Sequence, residues 1–89
     1  SIPGNFDIGK FSFWIHNFLL FNIDTVFRVK GIISFNDAPE KHIFQAVRGS
    51  FILEPAAEWG EEARFSKLVF IGKKLDRDML EDNLYQLLA

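Results

Sequence analysis

The sequence contains no cysteine, and this absence excludes several kinds of site at once. Disulfides, thiolate metal sites and cysteine nucleophiles all require the thiol group. Disulfides are typical of secreted proteins and rare in the cytoplasm. We therefore expect a cytoplasmic protein without a disulfide framework.

An excess of positive charge is also missing, because 10 Lys and Arg residues stand against 12 Asp and Glu residues. Proteins that bind nucleic acid usually show a basic face, and polybasic surfaces hold proteins at acidic membranes. The longest apolar stretch, residues 11–21, is broken by Ser12, His16 and Asn17 and is too short to span a bilayer. We predict that neither nucleic acid nor a membrane is a partner.

What the chain does contain is phenylalanine, with 11 among 89 residues. This length makes a single domain, residues 1–89, whose modest core is built from a few large side chains. Apolar residues recur at helical spacing from Ile8 to Phe21, and Asp7 is suited to cap that helix. Phe13 and Leu20 fall on its polar side, where they belong either to a crowded core or to a docking patch.

Period-two alternation predicts a strand over residues 27–35, which places Phe27 on the apolar face and Arg28 and Lys30 together on the other. A turn at 36–40 leads into a second strand, predicted over residues 41–53.

The alternation of this second strand slips near Gly49, which predicts a bulge or bend there. Phe44, Ala46 and Ile52 then share one face of the strand, and Pro55 ends it.

Residues 56–64 read as an irregular loop, and residues 68–71 as a central strand that is apolar at every position. Such a strand is typical of a sheet covered on both faces. Asp76 is suited to cap a last helix with an apolar face at Leu80, Leu84, Leu87 and Leu88. The pattern predicts a two-layer α+β domain with a small antiparallel sheet of three strands, room for a fourth at the N-terminus, and two helices on one face. The order is (β)-α-β-β-β-α.

No motif for catalysis is complete in this sequence. Gly4, Gly9 and Lys10 have the spacing of a phosphate-binding P-loop, but Phe11 stands where Ser or Thr must reach Mg²⁺. No serine lies in a nucleophile elbow. The two histidines, His16 and His42, are the strongest nitrogen ligands and share no ligand spacing, so they are weak candidates for a metal site. We predict no catalytic residue, no cofactor and no enzyme activity in this chain.

Two strings resemble a known family. They are Arg28-Val29-Lys30-Gly31 and residues 64–76, which read Arg-Phe-Ser-Lys-Leu-Val-Phe-Ile-Gly-Lys-Lys-Leu-Asp. With residues 44–47 and Trp59 between them, they resemble the CobW C-terminal domain over nearly the whole chain, from about Phe6 onward. The resemblance implies a domain excised from a longer metallochaperone GTPase linked to cobalamin synthesis and to zinc or cobalt handling. It also implies that GTP, Mg²⁺ and Zn²⁺ or Co²⁺ belong to a separate GTPase domain that is absent from this chain.

We therefore expect a non-catalytic interaction and regulatory domain that docks on the GTPase domain or on a metal-receiving client protein. One alternative is a metal-binding and delivery module that uses His16 or His42, and another is a homo-oligomerisation domain. The interface is expected either on the polar sheet face or on the patch of Phe13 and Leu20. The candidate interface residues are Arg28, Lys30, Gln45, Arg64, Lys67, Phe13, Leu20 and Trp59.

Overall fold

The computed structural model describes residues 1–48 and 50–89, which form five strands and two helices. In chain order these elements are β1 Ile2–Pro3, α1 Ile8–Phe21, β2 Val26–Ser34, β3 Glu40–Val47, β4 Ser50–Glu58, β5 Phe65–Gly72 and α2 Arg77–Tyr85.

Both helices begin at the predicted caps. The Asp7 carboxylate accepts a hydrogen bond from the Lys10 backbone N–H at 2.9 Å, and the Asp76 carboxylate accepts one from the Met79 N–H at 3.1 Å. Each bond satisfies an N–H group that the first helical turn leaves without a partner. Neither helix in the described part of the chain is long and apolar enough to cross a membrane.

The strands form one antiparallel sheet in the order β1-β5-β2-β3-β4. The α+β class is confirmed, but the predicted count of three or four strands is wrong. The N-terminal strand exists as β1, whose Ile2 and Pro3 pair with Ser66 and Phe65. The middle strand of the sheet is β2, and β5 lies between β2 and β1.

The second predicted strand is in fact two strands. β3 ends at Val47 and β4 begins at Ser50, and these two residues are paired in an antiparallel ladder. The slip in the alternation therefore accompanies a reversal of the chain, and the bend predicted at Gly49 itself lies outside the described residues. The reversal moves Ile52 to the face opposite to the predicted one, where it pairs with Gln45.

Pro55 does not end β4, which continues to Glu58 and so takes up part of the predicted loop over residues 56–64. β4 is an edge strand that pairs only with β3. Proline lacks the N–H group that a central strand needs for its second neighbour, and an edge strand tolerates this loss.

One face of the sheet packs against both helices through aromatic contacts. Phe11 of α1 lies edge-on to Phe44 with ring centroids 5.4 Å apart, and Phe18 lies edge-on to Phe70 at 5.6 Å. Leu80 and Leu84 of α2 join the same core. An irregularity in the ladder between Val26 and Arg28 places Val26 in the core, so Phe27 is 37% exposed and does not lie on the buried face as predicted.

The opposite face of the sheet is not covered by any element of the described chain. Val69 and Ile71 of β5 are 47% and 50% exposed, while their neighbours Leu68 and Phe70 pack against the core. The prediction that β5 is covered on both faces is therefore wrong for this chain taken alone. The apolar residues of β5 face the core and the uncovered side in turn, because successive side chains of a strand point to opposite faces.

Candidate functional site

The uncovered side of the sheet brings together four of the residues that the sequence singled out. Lys30 on β2 pairs with Gln45 on β3 and with Val69 on β5, and Lys67 pairs with Ile32. Arg28 lies two residues from Lys30 and therefore on the same face. We call this surface the open face. It consists of Arg28, Lys30, Ile32, Ile43, Gln45, Val47, Ile52, Glu54, Lys67, Val69 and Ile71.

The cations of the open face lie near its middle and have no acidic neighbour in contact. Within the part of the chain that the structure describes, Arg28, Lys30 and Lys67 form no ion pair, since the two ion pairs found there join Lys41 to Glu62 and Arg77 to Glu81. Glu54 also belongs to the open face, but β3 separates it from β2. The centre of the open face is therefore positively charged.

Large apolar side chains flank these cations on both sides. Val69 and Ile71 lie on β5, and on the far side Val47 and Ile52 are 57% and 60% exposed. Isolated exposed aliphatic residues are common, but contiguous ones on one flat face are typical of an interface.

A shallow hollow of about 340 Å³ lies within the open face. Lys30, Ile32, Ile43, Gln45, Lys67 and Val69 are among its lining residues, and the lining surface is almost entirely apolar. A hollow of this kind can hold one apolar side chain of a partner.

Trp59 and Arg64, also interface candidates from the sequence, have a different role at the end of the sheet. Trp59 is 1% exposed and lies edge-on to Phe65 with ring centroids 5.3 Å apart, so its ring offers no surface to a partner. Its Nε1 atom is buried and finds no hydrogen-bond partner among the described residues. The Lys41 Nζ atom lies 5.2 Å from the centre of the Trp59 ring and also pairs with Glu62 at 3.1 Å.

Arg64 holds the turn between β2 and β3 in place. Its Nη1 atom donates to the carbonyl oxygens of Ala38 at 2.8 Å and Phe35 at 3.2 Å, and lies 3.3 Å from the Ser34 hydroxyl oxygen. A guanidinium group is suited to this task because it presents several donors in a fixed plane. Arg64 is therefore a support of the fold in this structure.

The second apolar surface that the sequence suggested lies on α1, away from the sheet. Phe13 is 76% exposed and Leu20 is 52% exposed, so neither side chain belongs to a crowded core. Phe21, next to Leu20, is 85% exposed. We call these three residues the α1 patch. The α1 patch and the open face lie on opposite sides of the domain, so one partner surface cannot cover both.

The two histidines lie on different elements. His16 is exposed on α1, and His42 on β3 packs edge-on against Phe35 at 5.0 Å, with its Nδ1 atom buried. No three His, Asp or Glu side chains of residues 1–48 and 50–89 are grouped so that they could hold a metal ion.

A larger groove of about 460 Å³ lies between β5 and α2. It exists because β1 is two residues long and pairs only with the first two residues of β5. Leu68 and Phe70 line one wall and Leu80 and Leu84 line the other. No pattern in the sequence indicated this groove, since it depends on where β1 stops.

Comparison with known proteins decides which family this architecture represents. Residues 1–88 match the family described as the cobalamin synthesis protein cobW C-terminal domain. The chain belongs to this family. The resemblance seen in the sequence is therefore confirmed over the whole described domain.

Relatives of this CobW C-terminal domain are much longer than the chain itself. The zinc chaperone YjiA of Escherichia coli strain K12 is 32% identical over 72 residues, which are 81% of this chain and 23% of that protein. The crystal structure of Zn(II)-bound YjiA GTPase from E. coli matches with a TM-score of 0.90 at 27% identity, over 99% of this chain and 28% of that chain. A Zn(II)-bound triple mutant of YjiA GTPase matches equally well. The chain thus spans about a quarter of the length of these relatives.

Some residues of the open face were harder to find from the sequence of this CobW C-terminal domain. Val69 and Ile71 were visible as part of an unusually apolar strand, but Val47 and Ile52 were not recognised as surface residues. Ile52 was placed on the same face as Phe44 and Ala46 because the reversal after β3 was read as a bulge. The available clue in the sequence was the pair Gly49-Ser50, which favours a turn. The structure gives Arg48 a φ of 46°, which is unusual for a residue with a side chain.

Proposed function

We propose that this chain is a non-catalytic interaction domain of a CobW-like GTPase and that its open face docks on the GTPase domain of the same protein. The observation that carries the proposal is the open face itself, where unpaired cations lie between exposed aliphatic side chains. A two-layer domain has one sheet face to offer, and this one presents exposed aliphatic side chains around cations that can set the register of a partner.

The family supports the wider context of the proposal. The relatives have the names zinc chaperone and GTPase, and they are about three and a half times as long as this chain. We propose that the parent protein likewise handles zinc or cobalt in the cytoplasm. In this proposal GTP, Mg²⁺ and the transported metal bind outside this domain. The domain regulates their binding only through its contact with the GTPase domain.

The energetics favour docking by the open face. Burial of apolar surface contributes about 25 cal/mol per Å², and Val47, Ile52, Val69 and Ile71 each leave about half of their side chain in water. Because these residues occupy three strands, a single flat partner surface can cover them together. The cations would then select a partner of complementary charge.

The test reverses the charge at the centre of the open face in the full-length protein. Arg28→Glu combined with Lys30→Glu should change the rate of GTP turnover, because the reversed charge would weaken docking on the GTPase domain. Both side chains are exposed, so the substitutions leave the core untouched. The matched control is Lys10→Glu combined with Lys74→Glu, which changes the net charge equally at exposed sites on α1 and after β5. Circular dichroism should show that both variants keep the fold.

Two outcomes would contradict the proposal. Turnover that is equal in the variant, the control and the wild type would exclude docking through the open face. Unchanged turnover together with loss of binding to a metal-receiving client would assign the open face to the client.

The α1 patch supports a second candidate function, homo-oligomerisation. Phe13 and Phe21 are more exposed than any other large apolar residue of the described chain. If the patch joins two copies, sedimentation should show a concentration-dependent dimer that Phe13→Asp or Leu20→Asp abolishes. A monomer at all concentrations would exclude this function.

A further inference from the structure

The spacing of the cations on the open face restricts the shape of the partner. Arg28 and Lys30 are two residues apart on β2, and Lys67 lies on β5 two residues beyond the partner of Lys30. Each step of two residues along a strand is about 6.8 Å. Measured along the strand direction, the three cations are evenly spaced in two steps of about 6.8 Å, and Lys67 is displaced to the side by one strand, about 4.8 Å.

The backbone of the sheet restricts the partner as well. β2 and β3 are paired on both sides, whereas β5 has a second neighbour only at Phe65 and Ser66. The unpaired backbone groups of β5 therefore lie along its outer edge, and the face itself presents side chains. A partner lying on this face must satisfy its own N–H and C=O groups. A helix does so within itself, and the opposite face of this sheet is already covered by helices.

A helix laid along β2 meets the cations at regular positions. Its rise is about 1.5 Å per residue, so residues four apart are about 6 Å apart along its axis, close to the step of about 6.8 Å between the cations. Acidic side chains at three such positions turn by only about 40° per step and therefore lie on one side of a helix. Apolar residues beside the acidic row would then contact Val69 and Ile71 on one flank and Val47 on the other.

The hollow near Lys30 gives such a helix a place to anchor. Its volume of about 340 Å³ accommodates a side chain such as leucine, between the row of Val69, Lys30 and Gln45 and the neighbouring row of Lys67, Ile32 and Ile43. Interfaces commonly depend on one such buried apolar residue surrounded by polar groups. The anchor would sit beside the cations, so charge and shape would fix the register together.

From these observations we infer that the open face binds an acidic amphipathic helix. Its acidic residues pair with Arg28, Lys30 and Lys67, and one apolar residue fills the hollow. The inference rests on the proposed function in that it describes the docking element of the partner domain.

The probe is a synthetic helical peptide of about 18 residues, long enough to form a helix in isolation. It carries three glutamates at successive intervals of four residues, with leucine on both flanks of this row. Two control peptides replace every glutamate by glutamine or by lysine. The isotope-labelled 89-residue chain is titrated with each peptide, and amide shifts in the NMR spectrum give both the affinity and the binding surface.

We expect the glutamate peptide to bind at least about tenfold more tightly than the glutamine peptide, and less tightly as salt is added. Shifts should fall on β2, β3 and β5. The variant with Lys30→Glu and Lys67→Glu should lose the glutamate peptide and bind the lysine peptide, whereas Lys10→Glu should leave both affinities unchanged. The reversal of preference keeps the test informative, because a misfolded variant would bind neither peptide.

Equal affinity for the three peptides, or shifts confined to α1, would overturn the inference. Tighter binding of a single-stranded oligonucleotide to the open face would do the same, since it would show a general site for polyanions. These results are distinct from failure of the proposed function. A charge-selective open face combined with unchanged GTP turnover would refute docking on the GTPase domain and leave the helix-binding surface established.

Discussion

Arg64 supports the fold, whereas Lys67 on the open face is proposed to bind a partner. Its guanidinium group contacts three acceptors in the segment from Ser34 to Ala38, where β2 turns towards β3. We predict that Arg64→Ala destabilises the domain strongly. Lys67→Ala, on the open face, should leave stability nearly unchanged.

The size of the effect follows from what each acceptor loses. The Phe35 carbonyl oxygen still accepts from the Ala38 N–H at 3.3 Å, and the Ser34 hydroxyl still donates to Asn5 at 2.6 Å. The Ala38 carbonyl oxygen loses its strongest bond, the one of 2.8 Å. A hydrogen bond to a charged group contributes about 1.5–3 kcal/mol. Because one nitrogen serves all three acceptors, we expect a total loss of about 2–3 kcal/mol rather than three full bonds.

Urea denaturation followed by tryptophan fluorescence measures this loss, since Trp59 is buried and becomes exposed on unfolding. With a slope of about 1–1.5 kcal/mol per molar urea for a small domain, the midpoint should fall by about 2 M. Lys67→Ala, a surface change, should stay within about 0.5 kcal/mol of the wild type. A midpoint for Arg64→Ala within about 0.3 M of the wild type would refute the assignment of Arg64 to the fold.

Three further predictions concern backbone packing, helix capping and metal. Gly31→Ala should destabilise the domain by about 1–3 kcal/mol in the same urea assay, because the added Cβ would collide with the Lys67 carbonyl oxygen. An unchanged midpoint would contradict this packing. Asp76→Ala should lower stability by about 0.5–2 kcal/mol and Asp76→Asn by less, since asparagine also caps helices; equal losses would argue against the cap. Calorimetric titration of the chelator-treated domain with Zn²⁺ and Co²⁺ should show no stoichiometric binding, because no three ligands are grouped among the described residues. Micromolar binding that His16→Ala or His42→Ala removes would instead establish a metal-binding module.

The sequence by itself determined the parts of this protein that depend on neighbouring residues. The two caps, Asp7 and Asp76, were visible because a carboxylate before a periodic apolar stretch can bond the free N–H groups of the first turn. The hairpin of β2 and β3 followed from strict alternation in the first strand and from the turn after it. Phe13 and Leu20 were noticed on the polar side of α1, but the choice between a crowded core and an exposed patch stayed open until the structure showed both side chains exposed.

Only the tertiary structure decided how the strands lie beside one another. The strand count depended on whether the alternation slip near residue 49 was a bulge or a reversal, and both break the period of two in the same way. Pro55 was read as a strand end because the sequence does not show that β4 has a neighbour on one side only.

The open face and the Arg64 contacts illustrate the same division. Arg64 and Lys67 are three residues apart and look alike as surface cations, yet one contacts backbone carbonyls 26 and 29 residues away in the chain while the other faces solvent. Local patterns specify which side of a strand or helix a residue occupies. Which of those sides is then covered depends on distant elements, and that is decided when the chain folds.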